Sequence, residues 1–174
     1  MKTNRLFRNT FIAIVLLFNI GCDQISKTIV RSRIDFHEQI NLFDNHIMLT
    51  RVENSGAFLS IGDSLSASVK FILLVLIPFM ALMVGTYFLF VRSALSRSTL
   101  VALSFVVGGG IGNIMDRYLY GSVTDFLHIN LGILRTGIFN MADVSIMTGV
   151  FIIATAYLIG RNNPLMGLES ESLA

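Results

Sequence analysis

The sequence predicts an all-α membrane protein: a bundle of four transmembrane helices with a small strand-rich element at one membrane surface. Three observations lead there. Of 174 residues, 53% are hydrophobic and only 14% charged, whereas a soluble domain carries about 25% charged residues. Four apolar segments each approach the roughly 20 residues that a helix needs to cross a hydrocarbon layer about 30 Å thick. Between the first two, "IMLTRVENSGAFLSIG" is rich in β-formers and ends in turn residues.

The spans are expected at about 10–30, 71–91, 99–115 and 141–160, within a single polytopic domain covering residues 1–174. The first carries a polar stripe. The second and fourth contain no charge away from their ends, and Pro78 in the second is tolerable in a membrane helix. The third is short and ends in glycines. Polar excursions are expected at about 31–68 and 116–140, the second with an apolar interior, "FLHINLGIL", too short to span.

An even number of spans puts both termini on one side and both excursions on the other. Six basic residues fall to each side: Lys2, Arg5, Arg8, Arg92, Arg97 and Arg161 against Arg31, Arg33, Arg51, Lys70, Arg117 and Arg135. The first span breaks the tie, because its amino-terminal flank holds three basic residues and no acid. Cytoplasmic termini follow from the positive-inside rule.

Several functions are excluded early. A single cysteine forms no internal disulfide, and the scattered His37, His46 and His128 make no metal cluster. No cofactor or metal is implied. The net charge of +2 is small and dispersed, which gives nucleic acid no footprint.

The charged positions are informative because an intramembrane charge costs several kcal/mol unless it is paired or faces a protein interior. In "IGCDQISK", Asp23 and Lys27 continue a four-residue spacing from Asn19, so one helix face presents an amide, an acid and a base. Mutual neutralisation of Asp23 and Lys27, with Lys27 snorkelling to the interface, is the plain reading, and a polar face turned into the bundle is the other. Gly21-Cys22 resembles a lipid-attachment signal, but Asn19 stands where that signal wants an aliphatic residue. Cys22 therefore reads as a small apolar neighbour of the stripe.

A second stripe in "GGGIGNIMDRYLYG" sets Gly109, Asn113 and Arg117 four apart. Gly108 and Gly112 beside it form a small-xxx-small pair suited to close helix packing. Asp143, in "FNMADVSIMTG", opens the fourth span, where an acid is favoured by the helix dipole, with Asn140 as a plausible N-cap. Asp125 in "GSVTDFLHI" sits among apolar residues, unlike a solvated loop acid.

Two carboxylates brought together would share a proton. The ionised one can activate water while the protonated one polarises a peptide carbonyl. Eighteen residues separate Asp125 from Asp143, and spacing alone does not bring them together. Two rivals stand beside this chemistry. One is a serine–lysine peptidase using Ser26 or Ser66 with Lys27 or Lys70; the other is a non-enzymatic four-span transporter or assembly factor.

Four motifs in order, "DQISK", "NSGAFLS", "GNIMDRYLYGSVTDF" and "FNMADVSIMTG", together resemble lipoprotein signal peptidase (signal peptidase II), the bacterial membrane aspartic peptidase family. The resemblance covers nearly the whole chain. It implies an endopeptidase that removes signal peptides from diacylglyceryl-modified prolipoproteins, cutting before the lipidated cysteine at the outer face of the cytoplasmic membrane. It makes Asp125 and Asp143 the catalytic pair, and Asp23, Lys27, Asn54, Gly56, Gly109, Asn113, Arg117 and Asn140 the polar lining. Asp116, conspicuous in "NIMDR", it makes structural, a support for the loop next to Arg117. A curved extracytoplasmic β-cradle and a short extracytoplasmic helix are also implied, as are contact with membrane lipid, inhibition by globomycin-type cyclic peptides and a monomeric enzyme. One departure from the family pattern is that Phe58 directly follows Ala57.

Overall fold

The computed structural model describes residues 5–56, 66–92 and 95–161. In chain order its elements are α1 (Arg5–Arg33), β1 (Gln39–Leu42), β2 (Ile47–Asn54), α2 (Ala67–Phe71), a π-helical stretch (Ile72–Leu76), α3 (Ile77–Val91), α4 (Arg97–Tyr120), β3 (Val123–Ile129) and α5 (Met141–Arg161). The helix α2, the π-helical stretch and α3 run on as one span, so four helices are long and apolar enough to cross a membrane. Among the described residues outside the spans there is no separate short helix, and Ala57 and Phe58 fall outside those residues.

The helices reach further than their apolar cores. The first and second continue into residues assigned by sequence to the first excursion, ending at Arg33 and beginning at Ala67. The third runs to Tyr120, which moves Asp116 and Arg117 out of the expected second excursion and into the last turns of α4. Hydropathy misplaces these ends because their charges are satisfied inside the protein rather than solvated. Gly121 stops α4 in the left-handed conformation, φ 76°, and its N–H returns to the Arg117 carbonyl, the usual glycine C-cap geometry.

Lipid tails remove the ordinary hydrophobic drive between membrane helices, so small residues and interhelical hydrogen bonds take its place. Helix α4 packs chiefly against α5 and α1. A Cβ on Gly108 would come within 2.9 Å of the Asn19 Cβ, and one on Gly112 within 2.5 Å of Asp23 Oδ2, so both serve the α1–α4 approach. Ser145 donates to Asn19 at 2.5 Å across the α1–α5 contact. Arg8 donates to the carbonyls of Arg92 and Phe90, satisfying the open end of α3. Ile12, Leu16, Leu89, Leu100 and Val107 form the buried apolar centre of the bundle. Large side chains such as Leu17, Phe18 and Phe151 face outward.

Beyond one end of the bundle the three strands form an antiparallel sheet in the order β1-β2-β3. Opposed residues share a sheet face, so Ile40, Leu49 and Leu127 make one apolar row and Leu42, Ile47 and Ile129 the next. The register shifts between Leu49 and Val52, after which Val52 faces Asp125 and Asn54 faces Val123. Alternation along β3 therefore sets Asp125 on the face of Leu127 and turns Thr124 and Phe126 the other way. Phe126 joins Val30 and Ile34 of α1 in a second apolar cluster, which seats the sheet on the helix ends.

Candidate active site

The amino terminus of α5 is held by a reciprocal cap. Asn140 Oδ1 accepts from the Asp143 N–H at 3.0 Å, and Asp143 Oδ2 accepts from the Asn140 N–H at 3.1 Å, the arrangement of a capping box. A third open donor, the Ala142 N–H, is met from another helix by Asp23 Oδ1 at 2.9 Å. The capping role open to Asp143 in the sequence is real. It also fixes the carboxylate, whose Oδ1 accepts from Asn113 Nδ2 at 2.9 Å.

Asn140 then links this helix end to the sheet. Its Nδ2 donates to Asp125 Oδ1 at 2.7 Å and to Asn113 Oδ1 at 3.2 Å. The other Asp125 oxygen accepts from Asn54 Nδ2 at 3.0 Å. Asp125 is 5% exposed, and burial is the main reason that its pKa is pushed up to about 6. The Asn54 bond opposes that rise and the Asp143 charge adds to it. The two aspartates are thus brought together through a shared asparagine.

The remaining lining residues divide into two layers. Arg117 Nη2 donates to the Gly56 carbonyl at 3.0 Å, and the Gly56 N–H returns to Asn54 Oδ1 at 3.1 Å. Arg117, Gly56, Asn54, Asn113 and Asn140 accordingly surround the carboxylates. Asp23, Lys27 and Gly109 stand one layer behind, which corrects their placement in a substrate-facing lining. Asp23 and Lys27 have no exposed surface. A Cβ on Gly109 would collide with the Ala142 carbonyl of α5. Helical rotation explains the difference: Gly108 and Gly112 look at α1, and the next residue round, Gly109, at α5.

The rear layer is a closed charge network. Lys27 Nζ lies 2.8 Å from Asp23 Oδ2, 3.2 Å from Asp116 Oδ2 and 3.0 Å from Asn113 Oδ1. An ammonium offers only donors, so Asn113 must turn its oxygen to Lys27 and its Nδ2 to Asp143. Asp23 and Lys27 therefore neutralise one another within a bundle-facing network, and Lys27, fully buried, does not snorkel to the interface. Asp116, fully buried, forms an ion pair with Arg31 at 2.7 Å and accepts hydrogen bonds from the Thr124 N–H at 3.2 Å and Gln24 at 3.1 Å. It joins α4 to α1 and β3 rather than supporting a loop.

Sequence reading passed over several members of this network. Gln24 donates to Asp23 and Asp116. Arg31 Nε and Glu53 both meet the Thr124 hydroxyl. Gln24 was legible inside "DQISK"; the others come from elements whose meeting no local pattern encodes. Lys70 pairs with Ser55 at 3.0 Å, a partner not considered from sequence, while the Ser26 hydroxyl donates to the Asp23 carbonyl. Cys22 is a half-buried free thiol within α1.

A hollow of about 210 Å³ beside Arg117 is lined also by Ser55, Lys70, Phe71, Leu74 and Gly121. A larger one, about 750 Å³, lies between Thr99 of α4 and Phe151, Thr155 and Tyr157 of α5, away from the aspartates and their partners. Among the described residues no three His, Cys, Asp or Glu side chains are grouped to hold a metal ion.

Comparison with known proteins gives this geometry a family. Residues 14–159 match the family model for signal peptidase (SPase) II. The chain is 30% identical over 154 residues to a lipoprotein signal peptidase of Desulforapulum autotrophicum, covering 87% of this chain and 92% of that one. It is 31% identical over 169 residues to that of Borrelia turicatae, covering 93% and 96%. Two solved bacterial membrane enzymes, determined by the in meso method at 2.3 Å and 1.9 Å resolution, superpose with TM-scores of 0.77 and 0.74 at 28% identity. They cover 87% and 86% of this chain, and 90% and 93% of their own lengths are matched. A match over most of its length, together with the shared fold, means that the chain belongs to the signal peptidase II family.

Proposed function

We propose that this chain removes the signal peptide from diacylglyceryl-modified prolipoproteins, cutting just before the lipidated cysteine, with Asp125 and Asp143 as the catalytic pair. One observation carries the assignment of the pair: Asn140 donates to both carboxylates, through Nδ2 to Asp125 and through its backbone N–H to Asp143.

Asp125 carries the shared proton, a role supported by its burial and its pKa of about 6. Asp143 is the base. It takes a proton from water as the water oxygen bonds to the scissile carbonyl carbon, while Asp125 gives its proton to the carbonyl oxygen. On collapse the C–N bond breaks and Asp143 returns its proton to the leaving nitrogen. Asp125 recovers one from the hydroxyl that becomes the carbonyl. Such transfers contribute about 10²- to 10⁴-fold each. Asn54, Asn113 and Asn140 orient the pair, and Arg117 with Gly56 holds the peptide backbone. Asp23, Lys27 and Gly109 act from behind by fixing Asn113 and the start of α5.

The protein works in the bacterial cytoplasmic membrane with cytoplasmic termini and the pair at the extracytoplasmic face. Arg5 and Arg8 at the start of α1 support this orientation, as does the clustering of site residues near the sheet-bearing helix ends. It acts as a single domain and a monomer. Membrane lipid surrounds it, and globomycin-type peptides would compete for the same pair. A transporter would need charges through the bundle midplane, and the span Ala67–Val91 has its only charge, Lys70, in its first turn.

The test is cleavage in detergent of a diacylglyceryl-modified prolipoprotein and its unlipidated twin. The expected result is cleavage of the lipidated substrate alone, with turnover lost in both Asp125→Asn and Asp143→Asn and retained in Ser55→Ala. Substantial turnover by either aspartate variant would refute the pair. Loss in Ser55→Ala would bring back serine–lysine chemistry through the contact between Ser55 and Lys70.

A further inference from the structure

The two turns at the far end of the sheet expose large apolar side chains: Ile133 is 99% exposed, Phe43 75%, Leu134 67% and Leu131 60%. They form one tip, because the Asn130 N–H donates to the His46 carbonyl at 2.8 Å and the His46 ring meets the Asn130 carbonyl at 3.0 Å. The backbone works to present them. Phe43, Asp44 and Asn45 are all left-handed, with φ of 50°, 52° and 66°. That region is unusual for a bulky residue, and such strain persists where surrounding structure holds it for a use.

The tip is tethered on both sides to the ends of membrane-length helices, α4 and α5. Exposed Tyr118 and Tyr120 close α4, in keeping with the aromatic belt of a membrane–water boundary. Strand β3 starts three residues after Tyr120, and α5 starts six residues after Arg135. The seven residues of β3 extend about 20 Å at roughly 3.3 Å each. The sheet either stands away from the bilayer, lifting these side chains into water, or lies along it and lowers them into lipid.

We propose that the tip formed by Phe43, Leu131, Ile133 and Leu134 inserts into the bilayer leaflet on the sheet's side, at the boundary between headgroups and acyl chains. An exposed apolar cluster of this kind marks an interaction surface. The four apolar spans put a bilayer within reach of the sheet, which favours lipid over a second protein. Arg135, next to Leu134, matches the phosphate layer and can keep its charge there while its stem lies along apolar surface. Asp44 and Asn45, on the same turn as Phe43, limit the insertion to a shallow one. The strand carrying Asp125 is thereby held along the membrane surface, at the level where a peptide emerges from lipid.

The chain contains no tryptophan, so Ile133→Trp supplies a lone indole at a position with no packing to disturb. Leu134→Trp is a second reporter, and Leu17→Trp, on the exposed face of α1, is the lipid-facing standard. Each is reconstituted in phosphatidylcholine nanodiscs with plain or acyl-brominated chains and titrated with aqueous iodide. For both tip reporters we expect blue-shifted emission, several-fold quenching by brominated lipid approaching that of Leu17→Trp, and weak quenching by iodide. Strong iodide quenching without bromine quenching puts the tip in water and overturns the proposal. Shielding from both quenchers means that protein covers the tip, which overturns it equally.

Discussion

Asn140→Asp is the most discriminating substitution at this site. Aspartate is nearly isosteric and is itself a good N-cap, so the bond accepted from the Asp143 N–H at 3.0 Å can persist. What disappears is the Nδ2 donor, with its 2.7 Å bond to Asp125 and 3.2 Å bond to Asn113. A hydrogen bond to a charged group is worth about 1.5–3 kcal/mol. At about 1.4 kcal/mol per tenfold in rate, full loss of the Asp125 bond in the transition state lowers kcat about 10- to 200-fold. The new carboxylate also stands beside Asp125 and raises its pKa, so the alkaline limb of the pH–rate profile moves upward. Initial rates on a lipidated prolipoprotein across pH, with thermal unfolding of the same samples, read both effects. A folded variant with wild-type rate and an unmoved limb would refute the placement of Asn140 between the aspartates.

The remaining predictions rest on the same geometry. Asp125 is needed protonated and has a pKa of about 6, so kcat/KM should fall as pH rises through that value; a rate still climbing above it contradicts the assignment of the proton. Because this pKa is raised on folding, the stability that Asp125 contributes is present below the ordinary carboxylate range and lost as pH rises towards 6. Lys27→Met strips the cation from two buried acids and should cost about 3–5 kcal/mol. Adding Asp23→Asn should recover part of that loss, and unfolding of both variants by denaturant in detergent would detect a failure. Gly109→Ala places a methyl against the Ala142 carbonyl and should cost about 1–3 kcal/mol with reduced turnover. Gly21→Ala, with nothing within 4 Å of its Cβ, should be nearly neutral in the same measurements.

By itself the sequence determined what depends on local spacing and on the solvent that each stretch requires. Apolar runs of membrane length specified the spans, and intervals of four put Asn19, Asp23 and Lys27 on one helix face. The position of Asp143 at a helix start, with Asn140 three residues before it, was equally legible, because capping is a local interaction. The four ordered motifs carried the resemblance.

What only the tertiary structure decided is which polar groups meet. Asp125 and Asp143 come together because β3 and α5 both lean on Asn140, and the register shift between Leu49 and Val52 sets the pairing in which Asn54 reaches Asp125. Asp23 and Asp143 are both acids at helical spacing beside polar neighbours, yet one lies sealed behind Ala142 and the other is half-exposed. The same limit applies to Asp116 and Arg117, which are adjacent in sequence. A rotation of about 100° per residue sends Asp116 into the charge network and Arg117 towards Gly56. Charge and helical period announce that such groups must be paired. Only the packing of α1, α4, α5 and β3 chooses the partner, because desolvation and hydrogen-bond geometry are properties of the assembled bundle.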